Sequence, residues 1–340
     1  MSPIRRVVVI GCGLIGTSVA CALRRAGVRV ELADHDPWAL AQAARMGAGT
    51  ALRAGAGPAD VVVIATPPSS VAAVLREAQA RGLGRVYTDV ASAKTRILAE
   101  VERGGCDLSC YVPGHPMAGR EVSGPGAARA GLFEGRTWAL CPHPALSPRA
   151  LRTVAALATA CGAEVRLLAP DAHDRAAAAV SHLPLVLSAA LAARFATGAQ
   201  DGPAEPPPGE GTGAETGAET GAETGAETGA ETGAETGAET ETGWEVDRDA
   251  GGLSLAAGAL RDVTRVAGSP AGMWRDILAH NATPVADLLD ELTRDLSRVA
   301  AALRAADDGP VAEVLARGNE GHARIVRALS RTREAERAAS

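Results

Sequence analysis

The sequence predicts an α/β N-terminal domain built on a doubly wound parallel sheet, followed by an all-α C-terminal domain. Three observations carry this. Short apolar, β-branched runs alternate with helix-compatible runs through the first half; Gly11-Cys12-Gly13-Leu14-Ile15-Gly16 lies between the first such run and the first helix; and no convincing strand appears after Val165.

Val7-Val8-Val9-Ile10 reads as a buried parallel strand, and Leu14 to Ala26 as a helix closed by Gly27. The glycines therefore occupy a strand-to-helix turn of the Rossmann type. Gly11 permits the tight turn, Gly13 lets the backbone approach a pyrophosphate, and Gly16 lets helix pack on strand, while Leu14 and Ile15 open the helix whose N-terminus faces the phosphates. A second strand, Arg29 to Ala33, ends at Asp34, where a carboxylate can accept hydrogen bonds from ribose hydroxyls. An anion there repels a 2′-phosphate, so the expected cofactor is NAD rather than NADP.

Asp60 to Ala65 is another strand, and it ends in Thr66-Pro67-Pro68, which cannot extend a central strand because proline has no N–H to give. Thr66 and Pro67 are thus expected at the carboxyl edge of the sheet, where ligands bind in open α/β folds. A helix from Val71 to Arg81 and a short strand from Arg85 to Asp89 follow. Asp89-Val90-Ala91-Ser92-Ala93-Lys94 then leads into a helix, which puts Ser92 on the same edge. Tyr111 to Gly114 reads as one more short strand, delivering His115 there too.

The second half is helical in pattern: Asp171 to Phe195, with His173, Ser181, His182 and Pro184 inside it, then Leu253 to Val266, Met273 to Leu303 and Val311 to Arg331. This divides the chain into a nucleotide-binding domain, residues 1–168, and a helical substrate and dimerisation domain, residues 169–335, interrupted at about 201–243. From Gly213 to Thr240 the chain repeats Gly-Ala-Glu-Thr seven times. Ten Glu and no Lys or Arg lie between Glu205 and Glu241, so the net charge of −6 becomes +4 for the remainder. A Gly and a Thr in every four residues disfavour helix, and no large apolar side chain is present to bury, so a disordered loop insertion is expected. It serves either as an acidic tether for a partner or as a neutral expansion in a tolerant loop.

Composition excludes several classes. The 340 residues, 46% hydrophobic and 22% charged, suffice for two cores. Aromatic residues are only 2% and no basic footprint exists, which argues against a nucleic-acid partner. The apolar stretch after Arg5 and Arg6 is built of the dinucleotide glycines and broken by Arg24 and Arg25, so neither an export signal nor a membrane span is expected. Six cysteines without a CxxC pair or clustered histidines read as reduced thiols of a cytoplasmic protein, with no metal site.

The chain resembles the prephenate/arogenate dehydrogenase family of tyrosine biosynthesis. The resemblance rests on Gly11-x-Gly-Leu-Ile-Gly16, Asp89-Val-Ala-Ser-Ala-Lys94, Gly114-His-Pro-Met-Ala-Gly119 with Glu121 and Ser123-Gly124, Leu132-Phe133-Glu134-Gly135, His173-Asp174-Arg175 with Ser181-His182-Leu183-Pro184, and Arg261-Asp262-Val263-Thr264-Arg265 with Trp274. Six blocks stand in the family's order. The resemblance implies an NAD-dependent oxidative decarboxylation of prephenate, a small-molecule substrate, and a homodimer formed through the helical domain. It makes His115 the base that takes the C4 hydroxyl proton, a task suited to an imidazole near neutral pH. It gives Ser92 the orienting hydroxyl, Arg265 a substrate carboxylate, and Ser181, His182 and Trp274 places around the substrate.

Each residue also has a plainer reading. His115 can be satisfied by backbone in a loop, Ser92 can be an N-cap, Arg265 can pair with Asp262 or Asp276, and Trp274 can be core. Two departures from the family pattern stand out: Leu185 replaces a second histidine, and Arg120 stands where a threonine is common. Arg120 either takes over part of the carboxylate binding or is a surface cation paired with Glu121 or Glu134. These departures keep arogenate and 4-amino-4-deoxyprephenate open as substrates. A non-catalytic NAD-binding sensor is the remaining alternative of a different class.

Overall fold

Five consecutive strand-forming runs in the first 112 residues are too apolar to leave either face wet, and both faces are covered. The computed structural model describes residues 4–53, 55, 57–119, 122–196 and 258–338. Arg120, Glu121 and the Gly-Ala-Glu-Thr repeat lie outside these residues. The chain runs β1 (Arg6–Ile10), α1 (Leu14–Arg25), β2 (Arg29–Ala33), α2 (Pro37–Arg45), β3 (Thr50–Ala51), β4 (Val61–Ile64), α3 (Val71–Ala80), β5 (Tyr87–Asp89), α4 (Thr95–Arg103) and β6 (Tyr111–Val112). These strands form one parallel sheet in the order β3-β2-β1-β4-β5-β6, the Rossmann order with its crevice where the strand order reverses between β1 and β4. Val7, Val9, Val61 and Val63 pack toward Val19 and Leu23 of α1 on one face. Val8, Val62 and Ile64 pack toward Leu75 of α3 and Ile97 of α4 on the other.

The sheet ends two residues earlier than the sequence reading places it. Pro113 has no N–H for the ladder, so the chain leaves the parallel sheet after Val112. His115 does not follow a strand but lies within one: β7 (Gly114–Pro116) pairs antiparallel with β8 (Thr137–Leu140), His115 opposite Ala139, and β8 pairs parallel with β9 (Glu164–Leu167) across the crossover helix α5 (Pro148–Ala160). The His115 imidazole therefore sits on hydrogen-bonded backbone.

The helical half contains α6 (Pro170–Ala177), α7 (Leu183–Ala192), α8 (Gly258–Thr264), α9 (Ala271–His280), α10 (Ala282–Ala305) and α11 (Asp308–Ala338). Two prolines break what the pattern reads as continuous helices. Pro184 cannot accommodate the carbonyl four residues back, and a π-helical turn, Ala178–His182, joins α6 to α7. Pro284 does the same to the run from Met273 to Leu303, which divides at Asn281 into α9 and α10. The combined run Pro170–Phe195 is apolar and long enough to cross a membrane by length and composition, with a mean hydropathy of 1.8, although the sequence reading counts no span. Its His173 and Asp174 are instead buried against the first half, where Asp174 accepts the backbone N–H groups of Lys94 and Thr95, both at 2.8 Å.

Gly16 shows how little room the first turn leaves. A Cβ there would stand 1.9 Å from the Gly11 carbonyl oxygen and 2.8 Å from the Ala65 Cβ. Gly16→Ala is therefore expected to cost at least about 1–3 kcal/mol of stability through overpacking, read as a lower midpoint in urea unfolding; an unchanged midpoint would show that α1 can slide away from β1.

Candidate active site

The turn after β1 forms one wall of a nucleotide cradle. Gly11 adopts φ +103°, and a Cβ on it would lie 2.4 Å from the Ala65 carbonyl oxygen, so protein packing alone requires glycine. Gly13 differs. Apart from its own chain neighbours, nothing among the described residues lies within 4 Å of a Cβ built there, so its bareness leaves open space for another molecule's close approach. Beside it, a cavity of about 280 Å³ is lined by Gly11, Ala33, Asp34, His35, Leu52 and Thr66, among others. The Asp34 carboxylate at the end of β2 accepts the backbone N–H groups of Cys12 and Asp36 and keeps its side chain largely buried at the cavity wall. Thr66 Oγ is buried without a hydrogen-bond partner among the described residues. An open glycine, an anchored carboxylate and an orphaned hydroxyl fit a dinucleotide laid across the crevice.

Across the crevice, β7 and α6 bring two imidazoles and a carboxylate into line. His115 Nδ1 lies 2.9 Å from His173 Nε2, and His173 Nδ1 lies 2.9 Å from Asp174 Oδ1. The carboxylate fixes the proton positions. A carboxylate only accepts, so His173 carries its proton on Nδ1 and presents a bare Nε2; His115 in turn donates from Nδ1, which leaves its Nε2 lone pair free. Burial, the neighbouring His173, Lys94 and His182 push the His115 pKa well below its ordinary value of 6.5, so the imidazole is neutral and able to take a proton. Burial alone would raise the Asp174 pKa. Hydrogen bonds from His173, Thr95 and Lys94 outweigh that and hold it below the usual carboxylate range.

Beneath β7 lies an ion pair with no access to solvent. Lys94 Nζ donates to Asp89 Oδ1 and, at 2.7 Å, to the Gly114 carbonyl, while Tyr111 donates its hydroxyl to Asp89 Oδ2 at 2.6 Å. Asp89 ends β5, Tyr111 opens β6, and Gly114 opens β7. The network thus fastens the second sheet to the first at the residue next to His115.

Ser92 sits on the loop between Asp89 and Lys94. It is not the N-cap of α4; Lys94 occupies that position, and Asp174 from the helical half binds the first N–H groups. The Ser92 hydroxyl is buried with no partner among the described residues. On the helical side, His182 is buried and meets Trp274 edge to face, with ring centroids 6.0 Å apart. Ser181 is half-buried on the π turn beside it. Arg265, in the 3-10 turn after α8, is exposed, and Leu185, at the position of the missing histidine, is buried. Among the described residues no cluster of three metal-ligating side chains occurs.

Three members of this site carry no role in the sequence reading. His173 and Asp174 are quoted there as a block, but a polar pair on an otherwise apolar helix does not reveal which strand it will meet. Lys94 is legible only as one end of a short motif; its burial depends on β7, an element that Pro113 creates. Breaking a buried pair leaves an uncompensated charge, so Lys94→Met is expected to destabilise the protein by about 3–5 kcal/mol in urea unfolding. A loss under about 1 kcal/mol would mean that the pair carries little of the junction between the sheets.

Comparison with known proteins agrees with the geometry. The family model described as the prephenate dehydrogenase nucleotide-binding domain matches residues 19–167, and that of the prephenate dehydrogenase dimerization domain matches residues 243–317. A probable prephenate dehydrogenase of Streptomyces niveus is 34% identical over 331 residues, covering 94% of this chain and 77% of that one. The prephenate dehydrogenase of Bacillus subtilis is 26% identical over 86% of this chain and 68% of its own. Among solved structures, that of prephenate dehydrogenase from A. aeolicus in complex with hydroxyphenyl propionate and NAD+ superposes with a TM-score of 0.73 at 22% identity, covering 95% of this chain and 99% of that one. With both halves matched in order and a relative 34% identical over 94% of this chain, the chain belongs to the prephenate dehydrogenase family.

Proposed function

We propose that this protein catalyses the NAD-dependent oxidative decarboxylation of prephenate to 4-hydroxyphenylpyruvate. The observation that carries the reading is the Asp174–His173–His115 chain, which ends in a neutral imidazole beside Gly114, itself packed against the carboxyl end of β5. Gly11, Gly13, Leu14, Ile15, Gly16, Asp34, Thr66 and Pro67 would hold NAD, which would supply the hydride acceptor. His115 Nε2 takes the proton of the C4 hydroxyl as the C4 hydride departs, and His173 with Asp174 steadies the imidazolium that forms. Ser92, whose hydroxyl has no protein partner among the described residues, is free to orient the same C4 oxygen. The electron pair of the bond from C1 to the carboxylate enters the ring, carbon dioxide leaves, the His115 imidazolium returns its proton to the C4 oxygen, and the product is the aromatic phenol. Ser181, His182, Trp274 and Arg265 surround the rest of the substrate, with Arg120 as a further cation for its carboxylates.

Assembly as a homodimer through the helical half belongs to the same proposal. It is supported by the dimerization-domain match and by apolar side chains left uncovered in one copy, including Val180 (66% exposed), Val263 (56%) and Leu296 (57%). A cytoplasmic location is supported by six cysteines that form no disulfide.

The reaction is tested by following NADH formation from purified protein with prephenate. His115→Asn is expected to retain NAD binding and lose roughly 10²- to 10⁴-fold in kcat; near wild-type turnover would move the base elsewhere. Because the His115 pKa is depressed and the base acts when neutral, kcat/KM should hold its plateau as the pH falls through 6.5 and drop only below it. An acid limb centred at or above that value would contradict the buried environment. Asp34→Ala should raise the KM for NAD and leave saturated kcat nearly unchanged, since a ribose contact is the same in ground and transition states.

A further inference from the structure

Asn281 stands at the break between α9 and α10, buried, with its amide nitrogen in two contacts: 2.8 Å from the Asp174 carbonyl oxygen and 2.9 Å from His182 Nδ1. The carbonyl can only accept, so the atom facing it must be the amide N–H₂, and the same group donates its second hydrogen to His182. His182 Nδ1 is therefore an acceptor. Neutral imidazole carries one proton, which then resides on Nε2. That Nε2 atom is buried and has no partner among the described residues, and the same is true of Trp274 Nε1, whose ring meets the His182 ring edge to face. Two buried N–H groups without acceptors are rare in folded proteins and costly to leave unmade. Both adjoin the site that bears His115, since Asn281 joins His182 to Asp174, and Asp174 binds His173, which lies 2.9 Å from His115.

We propose that Asn281 is a positioning residue that locks the His182 tautomer, so that His182 Nε2–H and Trp274 Nε1–H together receive an oxygen acceptor of the substrate, a carboxylate or an oxo group. The inference rests on the functional reading above and adds to it the polarity of this wall: it offers donors only. It also gives the buried imidazole a reason to stay uncharged. Burial pushes the His182 pKa down to about 4 against the attraction of Asp174, with His173 adding to the decrease, so at neutral pH the wall is uncharged and its donors are fixed by Asn281 alone.

Two variants test this. Asn281→Asp replaces the amide donor with an acceptor of the same shape, drawing the His182 proton to Nδ1 and leaving Nε2 bare. Trp274→Phe keeps a ring in place and removes one N–H. Each is expected to raise the substrate KM roughly 10-fold, the loss of one hydrogen bond to a charged or strongly polar acceptor, while the KM for NAD stays within about twofold. Prephenate and arogenate are assayed in parallel. An equal rise on both assigns the pair to a carboxylate, which the two substrates share, and a rise on prephenate alone assigns it to the side-chain oxo group. In Asn281→Asp the defect should shrink as the pH is lowered, because a doubly protonated His182, held by the new carboxylate and Asp174 against the opposing effect of His173, donates from Nε2 again; a folding defect would not recover on acidification. Unchanged substrate KM in folded Trp274→Phe and Asn281→Asp overturns the inference, and if Asn281→Asp does not fold, Trp274→Phe decides alone. Absence of wild-type turnover with either substrate would instead overturn the functional reading.

Discussion

The buried pair of Lys94 and Asp89 is the constraint on which the site depends. Neither side chain has any exposure, so neither charge can be left without the other. Asp89 also receives the Tyr111 hydroxyl and the Ala91 backbone N–H, and Lys94 reaches the Gly114 carbonyl. One polar knot thereby joins the last strands of the parallel sheet, the Ser92 loop and the strand bearing His115. A Cβ at Gly114 would meet the Asp89 carbonyl oxygen at 2.9 Å, so the backbones themselves approach as closely as a side chain would forbid. The positions of Ser92 and His115 follow from this knot rather than from the flexibility of either loop.

The helical half completes the site from the other side. Asp174 does two tasks with two oxygens: it holds the start of α4 in the first half and orders the proton on His173 in its own. Asp276 of α9 repeats the arrangement further along, accepting the Ser69 backbone N–H at 3.1 Å and the Ser69 hydroxyl at 2.9 Å beside the Thr66-Pro67 loop. Carboxylates from helices thus cap backbone groups at the carboxyl edge of the sheet. The two halves meet through directional contacts, with His280 packed near Glu100 at 3.7 Å and Arg96 donating to the Ala279 carbonyl.

Apart from β3 (Thr50–Ala51), the parallel sheet was legible because its strands are short apolar runs, β-branched in β1 and β4, with Gly11, Asp34 and Pro113 marking strand ends, and the glycine turn carries its own steric reasons. The second sheet was not. Thr137–Leu140 is short, contains Trp138 and Ala139, and pairs with a strand that exists only because Pro113 ends the first ladder. His115, Ser92, Asp34 and the glycines could be placed on one edge by counting elements, and the structure puts them there. His173, Lys94 and Asn281 could not, because their partners lie about 20 to 110 residues away and depend on how two separate layers dock. Helix boundaries failed at Pro184 and Pro284, where each run looks continuous in hydrophobic period while the proline ring excludes an α-helical carbonyl one turn earlier.

The π turn at Ala178–His182 sets the phase of the helix that bears the site. His173 and His182 are nine residues apart, about two and a half turns of a regular α-helix, which would place them on opposite faces. Both are nevertheless buried, and Asn281 touches the carbonyl of Asp174 and the ring of His182 at once. The wider turn takes up the difference in rotation, as inserting one residue into a regular helix would. The number of residues between the two histidines is thus a fixed angular quantity, and gaining or losing a single alanine there would turn one imidazole out of the wall even though every side chain of the site remained in the sequence.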